Sequence, residues 1–332
     1  MKLTLADNRI MSGHLDQKIA IFNRVVVIGL GQLGLPVAKY IKQRGFEVFG
    51  YDINAFTMDR AEKEHGIKKI NDFSNMDVFV ICVSTHKPED VFAPHLDGLY
   101  SVVHKISNEA RNGALLSIES TISRGTSKKV FEMLDHRLHV VHAPHRWYAL
   151  EEDVHGVNQL RVIGGVCECC LHNGLKFYDG TDSRIGGNLQ SKKNDGADAS
   201  ELMKTVGISM HPVSNVELAE LTKIVENADR YLQIAFAEEL YLYCQANHVN
   251  FSELKDALNT KWNVHILEPR EGIGGHCVPK DTKMFLDSSK IGKSKILLAA
   301  IEADQAYRKF RQMKDKQHSS DNALDDQQLL SS

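Results

Sequence analysis

Val25-Val26-Val27-Ile28-Gly29-Leu30-Gly31-Gln32-Leu33-Gly34 is the stretch that decides the fold. Four consecutive apolar residues read as a strand buried on both faces, the pattern of a parallel sheet. The glycines that follow open a helix. Gly29 permits a tight turn, Gly31 lets the backbone approach a pyrophosphate, and Gly34 allows close helix–strand packing. Phosphates there meet free N–H groups and the positive end of the helix dipole. A second apolar run, Val48-Phe49-Gly50-Tyr51, leads into Asp52, 18 residues beyond Gly34. A carboxylate at that point accepts both ribose hydroxyls and repels a 2′-phosphate, which predicts NAD rather than NADP.

Apolar runs return at 78–83, 114–118, 139–142 and 161–164, with helix-length stretches such as 35–44 and 125–134 between most of them. This alternation predicts an α/β chain whose residues 1–212 form a Rossmann-like doubly wound parallel sheet, followed by an all-helical domain over 213–312. Residues 1–23 are mixed and polar and read as an entry helix or strap. The segment 179–204 is rich in Gly, Asp, Ser and Lys and reads as a surface insertion. Ser214-Asn215-Val216-Glu217 has the spacing of a capping box at the head of a long helix reaching about Ala246. Apolar residues at 218, 221, 225, 232, 236, 240 and 244 predict one stripe facing a core or a dimer seam. Further helical patterns at 252–259 and 293–310 flank a glycine-rich loop, and residues 313–332 read as a frayed tail.

Composition narrows the function classes. The chain has 332 residues, 42% of them hydrophobic and 25% charged, with a net charge of −3. That is material for about two domains with ample cores, and a balance that argues against a nucleic-acid binder. No apolar run reaches membrane-spanning length, and the charged start lacks a secretory core. Six cysteines in a chain this long do not make a disulfide scaffold, so the expectation is a cytoplasmic protein.

A second constellation is Gly272-Ile273-Gly274-Gly275-His276-Cys277-Val278-Pro279-Lys280-Asp281. Glycines before a cysteine make a loop that can press on a ligand and present the sulfur, and a thiolate is a strong nucleophile. Lys223 and Asn227, spaced i, i+4, share one face of the long helix. A lysine beside an amide can steady an oxyanion while a thiol attacks a carbonyl. Spacing alone leaves the other reading open, a buried cysteine and a solvated lysine.

Taken in order, VVVIGLGQLGLPVA, YDI, VFVICVST, LLSIESTISRGT, VSNVELAELTKIVENADRYLQIAF and EGIGGHCVPKD resemble the UDP-glucose/UDP-N-acetylmannosamine (nucleotide-sugar 6-) dehydrogenase family across residues 24 to 310. The resemblance implies a four-electron oxidation of a sugar C6 alcohol to a carboxylate with two NAD, feeding polysaccharide biosynthesis. By position, Cys277 forms a thiohemiacetal and then a thioester, Lys223 and Asn227 stabilise the oxygen on C6, Asp281 assists proton transfer, and Thr121 holds a water. Gln32 and Leu33, between the fingerprint glycines, fall to the cofactor together with Ser84, Thr85 and Thr121. Arg230, Gly272, Gly274 and Gly275 fall to the substrate. The same resemblance implies a homodimer through the helical domain.

The departures carry information too. Where the family has a glutamate after its fifth strand, this chain has Ala143-Pro144-His145-Arg146-Trp147, which makes His145 a candidate for proton work near neutral pH, with Glu151 and Glu152 as alternatives. The family's proline-rich loop is Val83-Ser84-Thr85-His86 here. Family members continue into a further nucleotide-gripping domain, so a partner chain that supplies it is one expectation. Two rival readings remain: a two-electron β-hydroxyacid dehydrogenase, which has no use for Cys277, and a non-catalytic NAD-binding partner subunit. Cys167-Glu168-Cys169-Cys170 has no second ligand pair nearby in sequence and reads as a helix start, not a metal site. His139, His142 and His145 do not form a ligand ladder on a strand, and Lys192-Lys193 read as solvated.

Overall fold

The computed structural model describes residues 21–87, 93–147, 155–182, 187–188, 204–275, 277–288 and 294–329. The entry segment 1–20, Glu151, Glu152, Lys192, Lys193, His276 and most of 183–203 lie outside them. The chain divides into two compact units, Met1–Lys87 with His95–Lys223, and Pro88–Pro94 with Ile224–Ser332. The division falls between Lys223 and Ile224, inside the long helix, whereas the sequence reading places its boundary after residue 212.

In the first unit, strands β1 (Arg24–Ile28), β2 (Glu47–Tyr51), β3 (Lys68–Lys69), β4 (Val78–Ile81), β5 (Leu115–Ile118), β6 (His139–His142), β7 (Arg161–Gly165) and β10 (Met210–Pro212) form one sheet, ordered β10-β7-β6-β5-β4-β1-β2-β3. A separate pair, β8 (Thr181–Asp182) and β9 (Gly187–Asn188), is antiparallel. Pairing is parallel from β3 across to β6, with Val25 level with Val78, Val78 with Leu115, and Leu115 with His139. It turns antiparallel between β6 and β7, and β10 then runs parallel to β7. Six strands expected from apolar runs are present. β3 and β10 escaped because Lys-Lys and Met-His-Pro carry no strand signal, and Pro212 is accommodated at the sheet edge, where an absent N–H costs least.

Helices α1 (Gly34–Gln43), α2 (Ala55–His65), α3 (Asp97–Glu109), α4 (Thr126–Met133) and α5 (Glu168–Tyr178) cover the sheet. Val25, Val26, Val27 and Ile28 are buried completely or nearly so, each removing ~1.5–3 kcal/mol worth of apolar surface from water. Close packing is built in by glycine: a Cβ on Gly34 would sit 1.7 Å from the Gly29 carbonyl oxygen. At β7, a Cβ on Gly164 would meet Val216 Cα at 2.8 Å, so glycine lets the head of α6 (Val216–Ala246) lie on the strand.

The capping box is not what starts α6. Asn215, not Ser214, caps it, its Oδ1 accepting from Leu218 N at 3.2 Å. Glu217, expected to reach back, instead accepts from Arg124 at 2.7 Å and Lys128 at 2.5 Å, because two cations offer a charged carboxylate more than one backbone amide does.

The second unit is helical: the rest of α6, α7 (Phe251–Asn259), α8 (Cys277–Ser288) and α9 (Lys295–Leu329). Its core joins Tyr231, Ala235, Ile273 and Ala300. The apolar stripe expected on α6 divides between a buried and an exposed part. Val225 and Phe236 are 40% and 56% exposed, while the buried line runs through Ile224, Ala228, Tyr231, Ala235 and Cys244. Small alanines allow close packing, and large apolar size misled the pattern. Helix α9 continues to Leu329, through the stretch read as a frayed tail. No helix among the described residues is long and apolar enough to cross a membrane.

Candidate functional site

The glycine fingerprint has the shape its residues require. Gly29 takes φ +83°, and a Cβ there would lie 2.8 Å from the Cys82 carbonyl oxygen. Nothing lies within 4 Å of a Cβ built on Gly31, which leaves open room where a pyrophosphate would press. Gln32 is exposed and Leu33 half-buried at the mouth of the turn. Asp52 Oδ2 accepts from Leu30 N at 2.7 Å and Oδ1 from Asn54 N at 2.8 Å. The carboxylate is thereby fixed beside the glycine turn while remaining half-exposed, as a ribose acceptor must be. These residues fit a dinucleotide.

Around the strand ends, Ser84 is exposed and its hydroxyl meets His86 Nδ1 at 3.0 Å, while Thr85 is buried and Thr121 half-buried. Two residues before Thr121 lies a group the sequence reading did not single out. Glu119 is buried at the centre of a polar network: its Oε2 meets Arg161 Nη1 at 3.0 Å and contacts His145 Nε2, and its Oε1 accepts from Tyr178 OH at 2.5 Å. Ser117 Oγ continues the chain to Tyr178 OH at 2.7 Å, and Arg161 also donates to Val157 O at 2.8 Å. Burial pushes the Glu119 pKa up, but the charge of Arg161 and the contact with His145 outweigh it and bring it down to about 2. For His145, burial and then Arg161 lower the pKa despite Glu119, with Lys223 adding to the effect. Both effects work against the proton exchange near neutral pH expected of this imidazole. An Arg161 on a strand of apolar neighbours was the available signal: a charge inside an apolar run demands a buried partner.

The first turns of α6 reach the same unit through another carboxylate that was overlooked. Glu220, fully buried, accepts from Gly125 N at 2.6 Å and Ser127 N at 2.8 Å, capping the head of α4. Lys223, half-buried, follows within one turn.

In the second unit, Cys277 is exposed and is the first residue of α8. One turn further, Asp281 is buried, hydrogen-bonded by the Asn227 amide and paired with Lys280 Nζ at 2.8 Å. The cysteine helix is thus tied to α6 at the residue expected to act. Arg230 is exposed. The glycine loop is held from behind by α9. Ile273 N donates to Asp304 Oδ1 at 2.8 Å, and Arg308 bonds both oxygens of Asp304 and the Ile273 carbonyl at 2.9, 3.0 and 2.5 Å. Tyr307 OH donates to Arg270 O at 2.7 Å. Gly272, at φ +95°, lies under Arg308, whose Cγ would be 2.9 Å from an added Cβ, while Gly274 and Gly275 are exposed. Asp304 and Arg308, an i, i+4 pair, were also overlooked; nothing in the sequence distinguishes them from a surface ion pair.

Comparison with known proteins agrees with both halves. Residues 217–305 match the central domain of the UDP-glucose/GDP-mannose dehydrogenase family, and residues 24–144 match the NAD binding domain of 6-phosphogluconate dehydrogenase. A UDP-N-acetyl-D-mannosamine dehydrogenase of Pyrococcus horikoshii is 30% identical over 297 residues, covering 80% of this chain, and the chain spans 65% of that relative's length. One from Campylobacter jejuni is 28% identical, with 85% of this chain and 72% of the relative covered. The solved UDP-D-ManNAc dehydrogenase of P. horikoshii superposes with a TM-score of 0.70 at 27% identity, over 86% of this chain and 69% of that one. The resemblance carried by the motifs therefore extends along most of the chain, and the first unit is an NAD-binding Rossmann-like domain.

Proposed function

We propose that this chain is an NAD-dependent nucleotide-sugar 6-dehydrogenase that oxidises the C6 alcohol of a UDP-hexose to the uronic acid. The observation that carries the reading is the bond between Asn227 and Asp281, which ties the Cys277 helix to the very residue paired with Lys223 on α6. A simple two-electron dehydrogenase has no use for a nucleophilic cysteine on that helix.

NAD, when bound, supplies the hydride acceptor for each of the two oxidations. Asp52 holds the ribose hydroxyls and Gly31 leaves room for the pyrophosphate. Lys223 and Asn227 steady the oxygen on C6, where negative charge develops in each oxidation. The Cys277 thiolate adds to the aldehyde carbon, forming a C–S bond and keeping the aldehyde bound, and the resulting carbon can lose a hydride. Water then cleaves the thioester, and Asp281, paired with Lys280, assists Lys223 and the water in proton transfer. His145, where the family has a glutamate, acts through Glu119 to fix the wall near Lys223. The exposed apolar residues Val225, Phe236 and Tyr243 on α6 support self-association through the helical unit. A partner that covers the nucleotide belongs to the same proposal.

The test is NADH formation with a panel of UDP-hexoses, UDP-N-acetylmannosamine among them, expecting two NADH per sugar. One NADH per substrate with Cys277→Ser at full turnover would establish the two-electron alternative. No turnover with any sugar, alone or with a co-purified chain, would leave an NAD-binding subunit.

A further inference from the structure

A cluster in the first unit plays no part in this chemistry. Cys167, Cys169 and Cys170 stand at the head of α5, with Cys167 at the N-cap in extended conformation. The tertiary fold brings β6 against that turn, and with it His139. One ring nitrogen of His139 and the sulfurs of Cys169 and Cys170 lie within 4.8 Å of one another. Cys167 Sγ is 2.8 Å from Cys169 Sγ and 3.3 Å from Cys170 Sγ, which adds a third sulfur on the far side of that group.

The surroundings are those of a ligand set. His139 is 5% exposed, and its Nδ1 is buried with no hydrogen-bond partner among the described residues. Asn173 Nδ2 lies 3.3 Å from its Nε2 and also donates to Cys169 O at 2.9 Å, so the Asn173 side chain sits between the ring and the turn. Val140 N donates to Cys170 Sγ at 3.3 Å, as backbone amides do toward metal-bound thiolates. Cys170 and His139 form a buried floor, and Cys169 is exposed, so an ion can enter from solvent.

We propose that Cys167, Cys169, Cys170 and His139 bind one zinc-class cation in a closed tetrahedral Cys3His site. Zn–S bonds of ~2.3 Å set tetrahedral sulfurs ~3.8 Å apart, so the thiols open by about 0.5–1 Å around the ion. Three soft thiolates and an imidazole select zinc over magnesium or calcium. The site is structural. His139 is level with Val25 across the parallel strands, at the edge of the sheet opposite the Gly29 turn, and four protein ligands leave no open position. The ion staples the start of β6 to the start of α5. A Cys167–Cys170 dithiol would use two of the sulfurs and leave Cys169 and His139 without a role.

The experiment uses the full chain, purified in reductant, stripped with chelator and shown by mass to carry six thiols. Zinc should bind at one equivalent per chain and raise Tm, and cobalt should give thiolate charge-transfer absorption with the intense visible bands of a tetrahedral centre. Cys169→Ser, at an exposed position that does not threaten folding, should abolish the charge-transfer band and the stoichiometric zinc, as should His139→Gln. Cys277→Ser should keep both. Substoichiometric zinc, an octahedral cobalt spectrum, binding lost with Cys277→Ser but kept with Cys169→Ser, or a chain two hydrogens lighter that ignores metal would each overturn the proposal. The last result would establish a redox disulfide instead.

Discussion

The buried network around Glu119 and the exposed turn at Cys277 solve opposite problems. In the first, an arginine and a glutamate neutralise each other inside the sheet, with a histidine and a tyrosine bonded to the same carboxylate. In the second, the one sulfur assigned to chemistry is left in the open, and order is imposed from behind by Asp281, Asp304 and Arg308. Burial makes a charge dependent on its partner, since a lone buried charge costs several kcal/mol. Exposure leaves a nucleophile available and makes positioning the task of its neighbours. Substitutions in the sealed network should therefore be read in stability, and those at the open turn in turnover.

The sharpest break is expected at Cys277. Cys277→Ser should cut acid formation by about a thousandfold or more while leaving unfolding free energy within about 0.5 kcal/mol, measured by NADH yield and urea denaturation on the same preparation. Glu119→Ala should do the reverse, losing about 3–5 kcal/mol of stability in urea because Arg161 is left buried without its anion, and Glu119→Ala with Arg161→Met should recover part of the loss. A loss below about 1 kcal/mol would mean the network is not the anchor described.

Loop positioning should give a smaller effect. Asp304→Asn weakens the hold on Ile273 and Arg308, and kcat should fall by about 10–100-fold, with a much smaller change in the affinity for NAD measured by fluorescence titration. For Asp52→Ala, the preference for NAD over NADP should drop by about tenfold, the worth of a charge-assisted hydrogen bond. Unchanged selectivity would remove Asp52 from the ribose site.

Within the range pH 7.5 to 6, the mildest effect is that of acid on the sealed unit. Burial lowers the His142 pKa to about 3, so between pH 6.5 and 3 the unfolded chain holds a proton that the folded one does not, and stability falls as pH falls. Glu119, at about 2 when folded against 4.5 as a free side chain, adds stability above pH 4.5 that is lost on the way to 2. Both act in one direction. From pH 7.5 to 6 the His142 contribution should be below about 1 kcal/mol, with a steeper fall in Tm beginning under pH 4.5. A Tm that rose on acidification would contradict both assignments.

Local chemistry was readable without coordinates. A run of valines before spaced glycines can be little other than a buried strand and a phosphate turn, and an acid at the next strand end completes the reason. Cys277, Lys223 and Asn227 could be named as candidates for the same reason, since helical spacing and glycine freedom act within a few residues, but spacing alone left a buried cysteine and a solvated lysine as the other reading. Only the tertiary structure could decide what depends on distant partners. Glu119 sits inside a quoted motif, yet its importance comes from Arg161 and Tyr178, some 40 and 60 residues away. Which part of the α6 stripe is buried could not be told beforehand, because size, not contact, was all the sequence offered. The three cysteines at the head of α5 looked incomplete because their histidine stands on another strand. Periodicity records what a residue prefers along its own backbone; a charge network or a ligand set exists only when folding brings separate elements within a few ångströms.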